Sequence, residues 1–158
     1  MERSGVDPPM NSGSSRCGYA VLEHTADVGL RVWGTTPAEA FGQAARGMLA
    51  IIVGPDASIL RASRPVETRE VRIDGVDLVD LLVSWLSELL VLLDADGFLP
   101  IDPRIDVCGP TELHAWVSGY QLAENEWPGG LMIKAVTYHQ ARVDVRDDRV
   151  EAQVIFDI

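Results

Sequence analysis

The chain has 158 residues, and 13 Lys and Arg against 24 Asp and Glu give it a formal net charge of -11 at pH 7. This length suits one compact domain, and 47% hydrophobic residues can supply its core. The negative charge repels phosphate backbones, so we expect no strong direct binding to nucleic acid. Cys17 and Cys108 are far apart and in no metal-ligand spacing, which excludes a zinc knuckle or a disulfide framework and fits a reducing cytoplasm.

The first segment, residues 1–16, is rich in Ser, Pro and Gly and holds no apolar stretch. This composition excludes a secretory signal and predicts a disordered leader before a domain that spans residues 17–158. The longest apolar run, residues 78–93, is interrupted by polar and acidic side chains and cannot cross a bilayer. We therefore expect a cytoplasmic protein with no membrane partner.

Residues 19–23 and 28–33 have the pattern of short strands. The polar segment 24–27 between them predicts a loop that exposes its side chains. A helix is predicted to begin behind it, because Thr36 can cap a helix and Pro37 has no N–H group to leave unpaired in the first turn.

This first helix continues, with apolar residues at helical spacing, as far as the Gly-Pro pair at 54–55. Residues 65–73 alternate as in a strand, after which Asp74 or Asp77 can cap a second helix that runs to about Asp94. The second helix is apolar on most of its sides, so we expect it to lie centrally across a sheet.

The Asp-Ala-Asp-Gly segment at 94–97 resembles the start of a calcium-binding loop. The further spaced oxygen ligands and the closing glutamate of an EF-hand are absent, and residues 98–100 continue with Phe-Leu-Pro. A plain turn is therefore the preferred interpretation.

The second half of the chain is rich in strand patterns. Five candidates follow one another, at 105–108, 112–118, 132–138, 141–146 and 150–158. The Asp-Asp pair at 147–148 predicts a tight hairpin turn, and residues 121–130 predict a longer surface loop. Together the elements predict an α+β fold, a single-domain layered sandwich with two helices packed on a mixed, largely antiparallel sheet.

The end of the chain carries the clearest candidate site. Residues 150–156 alternate almost to the last residue, so we expect an ordered strand that holds the terminal carboxylate of Ile158 beside the side chain of Asp157. Holding two carboxylates together costs Coulomb repulsion unless a cation lies between them, which makes this end a candidate site for a hard divalent cation. Asp27, in a loop between two early strands, is a carboxylate that can reach the same edge.

The usual enzyme motifs are missing, including the Walker lysine loop, Gly-x-Gly-x-x-Gly, Gly-x-Ser-x-Gly and His-Glu-x-x-His. His24, His114 and His139 could act as bases, but the last two lie in or beside strand patterns where non-catalytic histidines are commoner. Lys134 is the single basic residue of its strand. It could neutralise nearby carboxylates or point into solvent.

Four segments, in this order, resemble the archease family: His-Thr-Ala-Asp-Val-Gly at 24–29, the helical stretch 80–90, the strand stretch 133–139 and the terminal Phe-Asp-Ile at 156–158. The resemblance covers residues 19–158. It implies a small α+β protein that serves as an accessory factor of the RNA-splicing ligase, a manganese- and GTP-dependent enzyme of tRNA splicing and RNA repair.

The resemblance further implies that the protein is not an enzyme itself, but promotes guanylylation and multiple turnover of this ligase. The metal ligands of the family fall by position on Asp27, Asp157 and Ile158. Calcium is the expected metal, with magnesium or manganese as alternatives. Two other functions stay open: a stand-alone metal-dependent hydrolase with His24 or His139 as its base, and a small chaperone-like binding module.

Overall fold

The computed structural model describes residues 16–23 and 27–158. All but the last residue of the predicted leader, and the loop segment 24–26 with His24, lie outside the described residues. None of the helices in the described ranges is long and apolar enough to span a bilayer.

The described chain forms two α-helices, one short 3-10 helix and seven strands. Their order is β1 Gly18–Glu23, β2 Asp27–Gly34, α1 Pro37–Val53, a 3-10 helix Ser58–Arg61, β3 Val66–Asp74, α2 Leu78–Asp96, β4 Phe98–Cys108, β5 Glu112–Gln121, β6 Ala135–Val145 and β7 Val150–Asp157.

The strands form two sheets. One has four strands in the order β1-β2-β7-β6, and the other has three in the order β3-β5-β4. All pairs between described strands are antiparallel. The predicted α+β class with two helices is confirmed, and the strands are divided between two sheets.

Local capping explains where both helices begin. The Thr36 side chain accepts a hydrogen bond from the Glu39 N–H at 3.2 Å, and the Asp77 side chain accepts one from the Asp80 N–H at 2.8 Å. Each bond satisfies one of the backbone donors that a helix start leaves unpaired. α2 ends at Gly97, whose φ of 65° lies in the left-handed region that glycine adopts without strain.

The core lies where the two helices meet both sheets. α1 packs on β1, β2 and β7 of the larger sheet and on β4 of the smaller, whereas α2 packs on β6 and on β3, β4 and β5. Trp85 of α2 is fully buried, and its Nε1 donates to the carbonyl oxygen of Phe41 in α1 at 3.0 Å. Fully buried leucines of α2 extend this centre: Leu81, Leu82 and Leu86. The predicted central position of α2 is confirmed.

β4 corrects one prediction. The segment 94–97 is the last turn of α2 with its glycine cap, and the strand begins directly behind it at Phe98 rather than near residue 105. β4 contains Pro100 and Pro103, and proline is rare inside central strands. They are tolerated because β4 lies at the edge of its sheet, where a missing N–H leaves no neighbouring strand unpaired.

The observed strand β6 differs from a second prediction. The two predicted strands at 132–138 and 141–146 form one strand, which begins only at Ala135 and has an irregular register between Thr137 and Arg142. Gln140 in this interruption has a φ of 54°. The predicted hairpin turn behind it is confirmed, since the Arg146 N–H donates to the Arg149 carbonyl at 2.8 Å.

Candidate metal centre

Asp27 and Asp157 lie directly opposite each other. Asp27 is the first residue of β2, Asp157 is the last of β7, and the antiparallel register pairs them. Opposed residues of neighbouring strands have Cβ atoms about 4.5–5.5 Å apart and side chains on the same face, so both carboxylates project from one face at one end of the sheet. The sequence predicted only that Asp27 could reach this edge.

Asp157 is fixed from its other side as well. Ala135 of β6 is its partner in the β6–β7 pair, and the neighbouring Lys134 N–H donates to the carbonyl oxygen of Asp157 at 2.7 Å. Ile158 is half-buried and packs against the core. The terminal carboxylate is therefore anchored on the residue next to the Asp157 side chain.

This acidic edge contains a buried oxygen that lacks a hydrogen-bond partner among the described residues. Oδ1 of Asp27 is buried and accepts no hydrogen bond from any described residue. A buried acceptor without a partner costs free energy, and like charges on opposed strand residues destabilise the pair. Anionic oxygen donors on two neighbouring residues are the ligands that hard divalent cations prefer, so the residues present fit such an ion.

The side chains alone do not complete a metal site. No three His, Cys, Asp or Glu side chains within residues 16–23 and 27–158 form a cluster that could hold a metal ion. A centre at this edge needs a further ligand group, for which the predicted terminal carboxylate of Ile158 is the candidate.

The other candidate side chains are not drawn into this edge. The Lys134 side chain is exposed and forms no ion pair with a described carboxylate. His139 is exposed on β6, while His114 contacts Oε1 of Glu70 at 3.1 Å and packs edge-on against the Trp116 ring. The environment of His114 is that of an ordinary surface-sheet residue, as its strand pattern indicated.

Two cavities lie near this edge, with volumes of about 520 Å³ and about 560 Å³. Neither is lined by Asp27 or Asp157. The paired carboxylates thus lie outside the linings of these two cavities. The first cavity was not predicted from the sequence, although residues 121–133 contain two glutamates and no basic residue, which indicates an acidic surface.

The fold and the edge together define a small α+β protein with an acidic strand end. Residues 19–158 match the profile of the Archease protein family. A protein archease of Methanosarcina acetivorans is 36% identical over 144 residues, which cover 89% of this chain and 95% of that protein. A protein archease of Thermococcus gammatolerans is 38% identical over 141 residues, covering 86% and 95%. The chain belongs to the archease family.

Solved structures share the fold. The solution structure of Methanobacterium thermoautotrophicum protein 1598 is 28% identical and has a TM-score of 0.65, covering 89% of this chain and 99% of that one. The crystal structure of an archease from Thermotoga maritima, described as a possible chaperone, is 22% identical with a TM-score of 0.60 and covers 87% and 94%.

Proposed function

We propose that this archease is a metal-binding accessory factor that activates the RNA-splicing ligase in tRNA splicing and RNA repair, without being an enzyme itself. The observation that carries the proposal is the direct opposition of Asp27 and Asp157, with one Asp27 oxygen buried and unpartnered among the described residues. Family membership and the sequence resemblance supply the partner.

The proposed ligands are the Asp27 side chain, the Asp157 side chain and the terminal carboxylate of Ile158. Strand pairing on both sides of β7 holds two of these three residues in a fixed register, so little ordering is needed on binding. When bound, a divalent cation supplies positive charge and further coordination positions for water or an oxygen of the partner. Calcium is the preferred ion because it accepts irregular oxygen geometry, with magnesium or manganese as alternatives.

The chain's own role is to bring this edge to the active site of the ligase. Asp157 is exposed, so a partner surface can reach it. Transfer of a nucleotidyl group to the ligase histidine depends mostly on alignment and on neutralising phosphate charge. An accessory protein that fixes the position of charged groups at this point can promote guanylylation without contributing a nucleophile or a base.

We place this activity in the cytoplasm, where the ligase acts on RNA. Cys17 and Cys108 are not joined by a disulfide, as a reducing compartment requires.

A single-turnover guanylylation assay of the cognate ligase, with and without this protein, tests the proposal. The wild-type protein should accelerate guanylylation. Asp27→Ala and Asp157→Ala should fold normally and lose the stimulation. Asp147→Ala is the matched control, because it removes an exposed carboxylate from the hairpin turn at the other end of β7.

The outcomes separate the alternatives. Wild-type stimulation by both folded edge variants would rule out this centre while keeping the ligase as the partner. An unchanged guanylylation rate with wild-type protein would rule out the accessory function and favour the chaperone-like binding module.

A further inference from the structure

We propose that the cavity beside the C-terminal end of α2 is a docking site for a basic segment of the partner protein that carries arginine flanked by apolar side chains. We call it the α2 cavity. The inference rests on the proposed function, because it assigns the segment to the RNA-splicing ligase.

The α2 cavity has a volume of about 520 Å³ and lies between the last two turns of α2 and residues 121–133. Its deeper walls are apolar and include Leu90, Leu122 and Ile133. Large apolar side chains are also exposed where the cavity opens: Trp127 is 50% exposed, Leu131 42% and Met132 62%. A concave apolar surface with exposed aromatic and Met side chains is typical of a site where a partner inserts side chains.

The charged side chains that line the α2 cavity are all negative. Four carboxylates line it, those of Asp94, Asp96, Glu124 and Glu126, and none of the lining residues is Lys, Arg or His. Glu126 pairs with Arg64 outside the cavity. The other three carboxylates form no hydrogen bond or ion pair with a described residue, so they are available to a cation from a partner.

The position of two of these carboxylates opposes helix stability. Asp94 and Asp96 lie in the last turn of α2, at the negative end of the helix dipole, and no basic residue occupies that turn. Asp94 is exposed, but the partial desolvation of its carboxyl raises its pKa, and no cationic group of the described residues offsets this effect. A positively charged ligand would relieve both costs.

The outer wall is ordered before any partner binds. The Glu126 carboxylate accepts a hydrogen bond from the Ala123 N–H at 2.9 Å as well as pairing with Arg64. Three residues after Trp127 in the chain, the Gly130 N–H donates to the Ile52 carbonyl of α1 at 2.8 Å. A preformed wall reduces the entropy lost on association.

The α2 cavity adjoins the candidate metal centre. Ile133 lines the cavity, and the next residue, Lys134, donates its N–H to the Asp157 carbonyl at 2.7 Å. One partner can therefore contact both surfaces, and a segment bound in the cavity would fix the orientation of the carboxylate edge.

Arginine fits the carboxylates and the Trp127 indole ring of the α2 cavity better than other side chains do. A guanidinium pairs with carboxylates through two parallel hydrogen bonds, stacks on an indole ring and is weakly hydrated. The apolar walls suit its flanking side chains. An RNA segment is disfavoured because its phosphates would face unpaired carboxylates.

Two binding measurements test the inference. The first is binding of the full-length ligase to immobilised archease. The second is an NMR titration with a hexapeptide of alternating Arg and Leu, followed at the indole N–H of Trp127, with a Glu and Leu hexapeptide as control. The variants are Asp94→Asn with Asp96→Asn, and Trp127→Ala. The control is Asp147→Asn with Asp148→Asn, which removes equal charge from the exposed hairpin turn.

The double variant should bind the ligase about tenfold more weakly, since two exposed ion pairs are lost. Trp127→Ala should weaken binding on the order of 30-fold, as expected for a central aromatic contact. The Arg-containing peptide should shift the Trp127 signal of the wild type and of the hairpin control, and the Glu-containing peptide should not.

Equal ligase affinity for the double variant and the hairpin control would overturn the docking site and leave the metal centre untouched. If the wild type neither binds nor stimulates the ligase, the proposed function fails instead. In that case the peptide titration decides whether the α2 cavity binds basic peptides. An unshifted Trp127 signal with the Arg-containing peptide would overturn the docking site.

Discussion

Single carboxylates determine the character of this molecule. Asp27 and Asp157 are opposed where β2 begins and β7 ends. Asp94 and Asp96 lie in the last turn of α2, at the negative end of the helix dipole. Each placement raises the free energy of the isolated fold, and each is relieved by a cation. In both places the charges suit binding better than stability.

The Asp157→Asn variant tests this conflict between binding and stability. Without metal it should be more stable than the wild type by about 0.2–1 kcal/mol, because a repulsion between opposed strand residues is removed and the new amide stays in solvent. With calcium the wild type should gain melting temperature and the variant should not. Thermal unfolding in chelator and in excess calcium measures both effects. Equal calcium-dependent gains would show that Asp157 is not a ligand.

Glu126 gives a prediction for acid pH. Its hydrogen bonds with Arg64 and with the Ala123 N–H lower its pKa from 4.5 to about 2. Because the folded pKa lies below the unfolded one, the contribution of Glu126 to stability is complete above about pH 4.5 and is lost as the pH falls towards 2. Glu126→Gln should therefore be less stable than the wild type near neutral pH, with the difference disappearing in strong acid. A pH-independent difference in unfolding free energy would contradict this account.

At the scale of elements, α2 combines the centre of the core with one wall of the cavity. Trp85→Ala should destabilise the fold by about 3–5 kcal/mol, since it removes a buried ring and leaves the Phe41 carbonyl without its donor. Val91→Ala is the control, because Val91 on the same helix is 51% exposed and should cost under about 0.5 kcal/mol. Denaturant unfolding compares them, and similar losses would contradict the assigned core.

Substitutions at the C-terminal end of α2 should raise the stability of the protein, in contrast to Trp85→Ala. Asp94→Asn and Asp96→Asn should each stabilise the isolated protein by about 0.3–1 kcal/mol, because a negative charge leaves the negative end of the helix dipole. The raised pKa of Asp94 gives the pH dependence. Its cost is absent below the ordinary pKa of 3.8 and complete above the raised value, so the gain should be present at neutral pH and vanish in acid. Lower melting temperatures at pH 7 would show that these carboxylates stabilise the helix.

Local signals in the sequence predicted the elements whose causes are local. Thr36 and Pro37 marked the start of α1, and Asp77 was one of two candidates for the cap of α2. The strand β4 was predicted too short. Its first half contains Pro100 and Pro103, which a strand accommodates only at a sheet edge. Edge position depends on the whole topology, which no local pattern contains.

The candidate centre was predicted in part for the same reason. The alternating last strand placed Asp157 and Ile158 together, and the loop position of Asp27 made it a further candidate, which the family resemblance assigned as a ligand. Their direct opposition depends on the pairing of β2 with β7, two strands from opposite ends of the chain. The α2 cavity needs the loop after β5 to fold against the end of α2, which is also a contact between distant segments.

At the scale of the whole molecule, the two sheets and two helices place the end of the chain, the start of β2 and the α2 cavity on neighbouring surfaces. The net charge of -11 extends the acidic character over the protein. We infer that the ligase meets this side, with its basic segment in the cavity and its active site at the strand end. The remainder of the fold serves to hold these groups in register.

The most direct test of the central claim changes only the terminal group. A semisynthetic Ile158 carboxamide replaces the charged terminal carboxylate by a neutral amide and leaves every side chain in place. Calorimetric titration with calcium should show clearly weaker binding by the amide than by the free acid. In chelator the amide should melt at the same temperature as the free acid or slightly above it, because a like charge beside Asp157 has been removed. Equal calcium affinity for the two forms would contradict the account, because the terminal carboxylate would then not be a ligand and the side chains of Asp27 and Asp157 would remain as a pair without a metal centre.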